Sequence, residues 1–286
     1  MRAPSRSPWL AAVTAGTIAV FSGCSPVSTS KPSSGMILIS ETQEFAMGDQ
    51  FAAALAEGKV QGPVEFIPPE GGYLTSLGSR LVAASKRSGV PTTFQAINDA
   101  TINAFAVPGH TYYYRGIIEM CGTESEFAAI MAHEIGHIVA RHSAKTASTG
   151  MLAGLGQEAT VLILGGGNLT RALTGLVLTG AIKKYSRDDE RQADLLAVEE
   201  CIAAGIDPRG AAAVFRKFET TFAEKPNKID LFFADHPYSH ERAVNVDAYI
   251  AKLNPPSALK SDSPEYQAWR KSILALPVPA PRAKEH

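Results

Sequence analysis

Apolar positions recur at helical spacing along much of the chain, and polar signals mark where those stretches begin. Ser40-Glu41-Thr42-Gln43 has the serine-to-glutamine spacing of a capping box and predicts a helix to about Leu55. A second helix is predicted from Gly72 to about Arg87. Two short β-like runs follow, Thr92–Ile97 and Ala104–Val107. Pro108-Gly109 joins the second to the aromatic run Thr111–Arg115, predicting a hairpin. Thr123-Glu124-Ser125-Glu126 is a second capping box, and its helix is expected to run to about Ala144. A third box, Ser186-Arg187-Asp188-Asp189, opens a helix that stops at Gly205, with Pro208 beyond. Asp207-Pro208 starts another helix to about Thr221, and a last one is expected over His240–Leu253. The tail, 254–286, is richer in Pro and Ser and is expected to be surface-bound or loose. Capped helices around one small antiparallel β-sheet or hairpin define an α+β chain that is mostly α.

Two stretches break this pattern. Residues 1–23 carry Arg2 and Arg6 ahead of an uncharged apolar run, Trp9 to Phe21. That run is shorter than the roughly 20 residues a membrane-spanning helix needs, and it suits the core of a signal peptide. Phe21-Ser22-Gly23-Cys24 resembles a lipobox, the motif that places a lipidated cysteine at a mature N-terminus, although Phe21 stands where Leu is usual. Cys24 is therefore the candidate lipidation site, its alternative being an incidental thiol in a secreted chain. Residues 24–39 read as a tether, and Ser25 after the cysteine resembles an outer-membrane sorting signal. The second stretch, Gly150 to Ile182, is apolar with Gly165-Gly166-Gly167 at its middle. It reads as two helices flanking a glycine turn, or as a membrane-dipping or gating hairpin.

Composition narrows the classes without choosing one. The chain has 286 residues, 45% hydrophobic and 19% charged, with a formal net charge of −1. Enough apolar material is present for a substantial core, which excludes disorder. A balanced charge lacks the basic footprint of a nucleic-acid binder. Three cysteines are too few for a disulfide scaffold.

The chemistry concentrates in His133-Glu134-Ile135-Gly136-His137. Four residues advance a helix by about 400°, so both imidazoles share one face, a turn apart, where they can hold one Zn²⁺. Glu134 lies one step round and can reach a water beside the metal, the arrangement of the zincin H-E-x-x-H motif. A catalytic zinc needs a third protein ligand. The metzincin position, ten residues after His133, is Ser143, which excludes that class. On a continuous helix His142 lies about half a turn from His133, so it is expected to face solvent or cap the helix. Glu190, with Asp194 one turn later, is the leading third ligand, Asp194 reaching a ligand imidazole from behind. Glu-x-x-x-Asp alone is a common solvated face and gains meaning here from the preceding His-Glu motif.

With these residues in view the sequence resembles metallopeptidase family 48, a gluzincin group that includes a prenyl-protein protease, a mitochondrial stress protease and bacterial periplasmic lipoproteins. Further likeness lies in Asn103-Ala104-Phe105-Ala106-Val107-Pro108-Gly109, in His236-Pro237, and in Glu241-Arg242-Ala243. His110 departs from the pattern, standing where a second glycine is usual. The resemblance covers 40–253, the expected zincin-type peptidase domain. It implies Zn²⁺ held by His133, His137 and Glu190, with Glu134 as general base. It also implies that Arg242, and in one version His236, faces the oxyanion, His236 otherwise capping the zinc in a resting state. Polypeptide substrates would add to a strand edge at 103–107, where Asn103, Ala104 and Phe105 lie, or at 111–115. The implied setting is an exported, lipid-anchored endopeptidase facing the periplasm, acting on unfolded or unassembled envelope proteins. The alternative is a chaperone-like zinc lipoprotein that rarely cuts its clients. No oligomeric state is implied.

The cysteines add one expectation. Cys121 precedes His133 by twelve residues and Cys201 follows Glu190 by eleven. If the two zinc helices run antiparallel, both cysteines fall on one side of the site. A Cys121–Cys201 disulfide is predicted on that basis.

Overall fold

The computed structural model describes residues 36–60, 62–155, 185–224, 236 and 241–278. The expected signal peptide, the lipidation site Cys24, most of the tether and nearly all of the 150–182 stretch lie outside the described residues.

The three capping boxes form as predicted. Ser40, Thr123 and Ser186 each accept the backbone N–H three residues on, while Gln43, Glu126 and Asp189 reach back to the cap. They open α1 (Glu41–Ala56), α4 (Glu124–Val139) and α6 (Arg187–Ala203). Between them lie α2 (Tyr73–Ala84), α3 (Arg115–Met120) and α5 (His142–Leu155). After α6 come α7 (Arg209–Glu224), α8 (Glu241–Leu253) and α9 (Pro264–Ala275).

A four-stranded sheet in the order β1-β2-β4-β3 crosses the middle. It is built from β1 (Phe66–Ile67), β2 (Thr93–Ile97), β3 (Ala104–Val107) and β4 (His110–Tyr114). The hairpin turns at Pro108-Gly109, Val107 facing His110. Gly109 has φ +81, and His110 starts the next strand without disturbing the turn, its ring bonded to Thr93 Oγ1 and Asp49. β2 pairs parallel with β4, so the sheet is mixed where a purely antiparallel hairpin was expected. β4 is therefore interior and β3 is an edge.

Strand alternation divides the core in two. Phe105, Val107, Tyr112 and Tyr114 pack with Met47 and Phe51 of α1. Ala104, Ala106 and Tyr113 face α4 and the remaining helices. α1 presses so closely on the hairpin that a Cβ on Gly48 would fall 1.7 Å from the Pro108 carbonyl oxygen.

Two expectations are corrected. The helix that starts at Glu124 ends at Val139, not near Ala144. Arg141 takes a left-handed backbone, φ +59, and is held there by its guanidinium, which bonds Glu44 at 2.6 Å and the Ile39 carbonyl at 3.0 Å. The second correction concerns the tail. Ser263 caps α9 with Pro264 at its first turn, and Tyr266, Trp269 and Ile273 are buried in the main core. The Tyr266 hydroxyl donates to the Cys121 carbonyl at 2.6 Å, and Arg115 donates to the Leu274 and Leu276 carbonyls at the far end of the helix. Composition suggested a loose segment, whereas local capping and three apolar positions on one face make it structural. Trp269→Ala is accordingly expected to destabilise the fold by about 3–5 kcal/mol. A denaturant midpoint unchanged from wild type would show the tail to be dispensable.

Candidate metal centre

α4 and α6 run antiparallel: His133 faces Asp194, His137 faces Glu190, and Lys145 beyond α4 faces Asp189. Their backbones meet at Gly136, where an added Cβ would lie 3.2 Å from the Ala193 carbonyl oxygen and 3.3 Å from its Cα. That approach brings the side chains of both helices to one point.

His133, His137, Glu190 and His236 each offer one donor atom, all within 4.8 Å of one another and all buried. His133 Nε2 is 3.0 Å from His137 Nε2. Glu190 oxygens lie 3.4 Å from each of these nitrogens. His236 Nδ1 is 3.1 Å from Glu190 Oε1 and 3.4 Å from His133 Nε2. Tetrahedral ligands at zinc–nitrogen distances of about 2.0–2.1 Å stand about 3.3 Å apart. The cluster has that spacing and a borderline-soft nitrogen and oxygen set, so these residues fit a zinc ion.

His133 Nδ1 donates to Asp194 Oδ1 at 3.0 Å. Arg242 grips the same carboxylate with two bonds, at 2.6 and 2.9 Å, and reaches Glu190 Oε2 at 3.1 Å. Its guanidinium also lies over the Phe215 ring, 4.3 Å from the centroid. Arg242 was expected to face an oxyanion; here its donors are directed to the two carboxylates of α6. Glu134 is fully buried, and its Oε1 lies 3.5 Å from His236 Nε2.

Electrostatics follow from this packing. Burial works against charge on His133, but Asp194 and Glu190 outweigh it and push its pKa up to about 9. Burial holds His137 well below the usual histidine range. Burial alone would raise Glu190 and Asp194; His236 and Arg242 keep Glu190 well below the carboxylate range, and Arg242 with His133 lowers Asp194.

Three further placements matter. Asn103 is fully buried with neither amide atom hydrogen-bonded, just ahead of edge strand β3, which carries Ala104 and Phe105. Tyr185 stacks on His137 with ring centroids 3.8 Å apart, and its hydroxyl donates to the Ala106 carbonyl of β3 at 3.2 Å. No sequence signal marked it beyond its place before the Ser186 cap. His142, expected to face solvent or cap the helix, is 1% exposed and 2.8 Å from His137, because the helix breaks at Arg141.

The predicted disulfide is not present: Cys121 and Cys201 are both buried free thiols. Burial pushes both thiols well up and keeps them protonated. Equal spacing from an antiparallel site puts two residues at one end of a helix pair but does not turn their side chains toward each other. Among the described residues larger cavities lie elsewhere. Two of about 420 and 460 Å³ adjoin Tyr73 and Trp269, whereas those beside Arg242 are about 10 Å³ toward His133 and about 90 Å³ toward Glu190. Side-chain chemistry, not cavity size, locates the site.

Two histidines and a glutamate on facing helices, with a glutamate beside the first histidine, form a buried cluster that could hold a metal ion. Residues 68–250 match the model described as Peptidase family M48, and the chain belongs to that family. It is 28% identical to the beta-barrel assembly-enhancing protease of Yersinia pestis over 238 residues, 78% of this chain and 47% of the relative. The protein of the same name from Escherichia coli (strain K12) is 26% identical over 260 residues, 86% of this chain and 52% of that one. The mitochondrial metalloendopeptidase OMA1 of Schizosaccharomyces pombe is 28% identical over 201 residues, 69% of this chain and 57% of it. The chain spans about half the length of the curated relatives it matches.

The His133 pKa sets a pH dependence. In the metal-free fold its value lies above the ordinary 6.5, so the stability it contributes is complete below pH 6.5 and is lost as pH rises through about 9. A metal must displace that proton. Zinc affinity should therefore rise with pH by about tenfold per unit up to pH 9, with at least about one proton released at pH 7. Calorimetry in buffers of different ionisation enthalpy measures the release; a pH-independent affinity would contradict the assignment.

Proposed function

We propose that the chain is a zinc-dependent endopeptidase with His133, His137 and Glu190 as its metal ligands. The observation that carries this reading is the single buried cluster formed by these three side chains, with Glu134 on the same helix as the two histidines. When bound, zinc supplies Lewis-acid polarisation of a peptide carbonyl and acidifies a nearby water. Glu134 takes the proton of the attacking water and returns it to the leaving amine. Asp194 holds the His133 proton on Nδ1 and so keeps Nε2 bare for the metal, while Arg242 neutralises the two carboxylates and fixes α6 against α8.

His236 occupies what would be the fourth position. A catalytic zinc keeps that position open, so the arrangement with His236 in place is the resting state. Opening requires His236 to leave, which also uncovers Glu134.

An extended substrate would pair along β3, the strand at the sheet edge, with Asn103 at its start, once the groups that bury the strand move aside. Such pairing reads backbone, which suits unfolded or unassembled chains. The names carried by the bacterial relatives support envelope and outer-membrane proteins as clients. Cys24 would carry the lipid anchor, placing a catalytic unit from residue 40 through α9 on the periplasmic face of the outer membrane. Among the described residues no helix is long and apolar enough to cross a membrane.

Casein cleavage by wild type, by Glu134→Gln and by chelator-treated wild type tests the activity. Both interventions should lower the rate by about 10²–10⁴-fold. Equal cleavage in all three would remove the metallopeptidase reading. His236→Ala should raise the wild-type rate severalfold, and a fall would make His236 a participant in the reaction instead of its cap.

A further inference from the structure

We propose that His142 is a positioning residue of the metal centre, fixing His137 in the tautomer that presents Nε2 to the metal. The proposal rests on the zinc reading above and concerns a residue outside the donor set.

The hydrogen-bond chain leaves one consistent assignment. His137 Nε2 converges with His133 Nε2 at 3.0 Å and with Glu190 at 3.4 Å, so Nε2 is the donor atom and must carry a bare lone pair. A neutral imidazole then has its one proton on Nδ1. That atom lies 2.8 Å from His142 Nδ1. Two ring nitrogens at this distance share one proton, so His142 Nδ1 accepts and its own proton sits on Nε2. His142 Nε2 faces Gln192 Oε1 at 3.2 Å and Asp189 Oδ1 at 3.5 Å. Lys145 bonds the same Asp189 oxygen at 2.7 Å, leaving Gln192 the nearer acceptor. Every atom in the chain has one role, and the last acceptors stand on α6, the helix that carries Glu190.

The two histidine ligands are thus supported differently. His133 is backed by a carboxylate whose charge Arg242 balances. His137 is backed by an imidazole instead of a carboxylate, and the buried Asp189 behind that imidazole is paired with Lys145. Only the left-handed turn at Arg141 allows this, since on an unbroken helix His142 would point away.

A histidine filling space would be replaced by any residue of similar size; a positioning histidine needs an acceptor where Nδ1 stands. Zinc affinity of the full chain, wild type and variants, is measured by competition with a chromophoric chelator. His142→Leu should weaken binding about 10–100-fold, while His142→Asn, whose amide oxygen can accept in place of Nδ1, should stay close to wild type. In the zinc-loaded wild type, nitrogen-15 NMR of the imidazoles should place the proton of His137 on Nδ1 and that of His142 on Nε2, a result independent of how any variant folds. Equal affinity in a folded His142→Leu, or a proton on His142 Nδ1, overturns the proposal while wild-type zinc binding still stands. A wild type that takes up no zinc overturns the metal reading and this one with it.

Discussion

The contact of α4 with α6 at Gly136 is the constraint on which the rest of the structure depends. A Cβ there would lie 3.2 Å from the Ala193 carbonyl oxygen and 3.4 Å from the Leu196 Cβ, so the helices would have to give by a few tenths of an ångström just where Glu190 meets the two histidines. The sheet, the second cluster under α1 and the tail helix all serve to keep this pair together. α4 is buried along its whole length, with the sheet on one side and α6, α7 and α2 on the others. A helix so enclosed cannot tilt without disturbing several neighbours at once, and close-packed interiors resist such shifts.

That enclosure creates an electrostatic difficulty which the sequence resolves locally. Glu134, Glu190 and Asp194 are buried within a few residues of one another along two helices. Unpaired buried carboxylates would cost several kcal/mol each. Arg242 arrives from α8 and spans two of them, with two hydrogen bonds to Asp194 and an ion pair to Glu190, while His133 and His236 stand against the same two carboxylates. Removing Arg242 would leave two carboxylates facing each other, so its location dictates that α8 pack against α6 and α7. The fold around the site is thus partly a means of bringing one guanidinium to it.

Much of this was legible in the sequence where a local rule decides the outcome. A capping box is satisfied within four residues, and H-E-x-x-H encodes its own geometry once it lies on a helix, so Ser40, Thr123, Ser186, His133 and His137 could be read directly. Glu190 and Asp194 were legible only in the light of the preceding His-Glu motif, since their i, i+4 spacing alone is a common solvated face. What escaped depends on contacts distant in sequence. The helix break at Arg141 is set by Glu44 and Ile39, about a hundred positions earlier, and misplacing it left His142 facing solvent or capping the helix. The parallel pairing of β2 with β4 leaves no mark in either strand. The Cys121–Cys201 expectation failed because equal spacing fixes height along a helix pair but not direction round it. For α9, a Ser-Pro cap was present but was outweighed by the composition of the tail.

Tyr185 ties together two parts of the site that sequence keeps far apart. Its ring covers His137 while its hydroxyl holds the Ala106 carbonyl, an acceptor on the edge strand. A substrate strand joining β3 must supply its own donor to that carbonyl, exchanging one hydrogen bond for another instead of adding one. The net gain at this position is then small, since only the difference between the two bonds counts. Binding along β3 would then have to come from the remaining backbone pairs. A polypeptide already folded has its backbone groups satisfied and gains little from such an exchange, whereas an unfolded chain brings a full run of free donors and acceptors. On the proposed reading, the edge strand and the ring stacked on His137 would therefore select for the same property, an extended chain whose own hydrogen bonds are unmade.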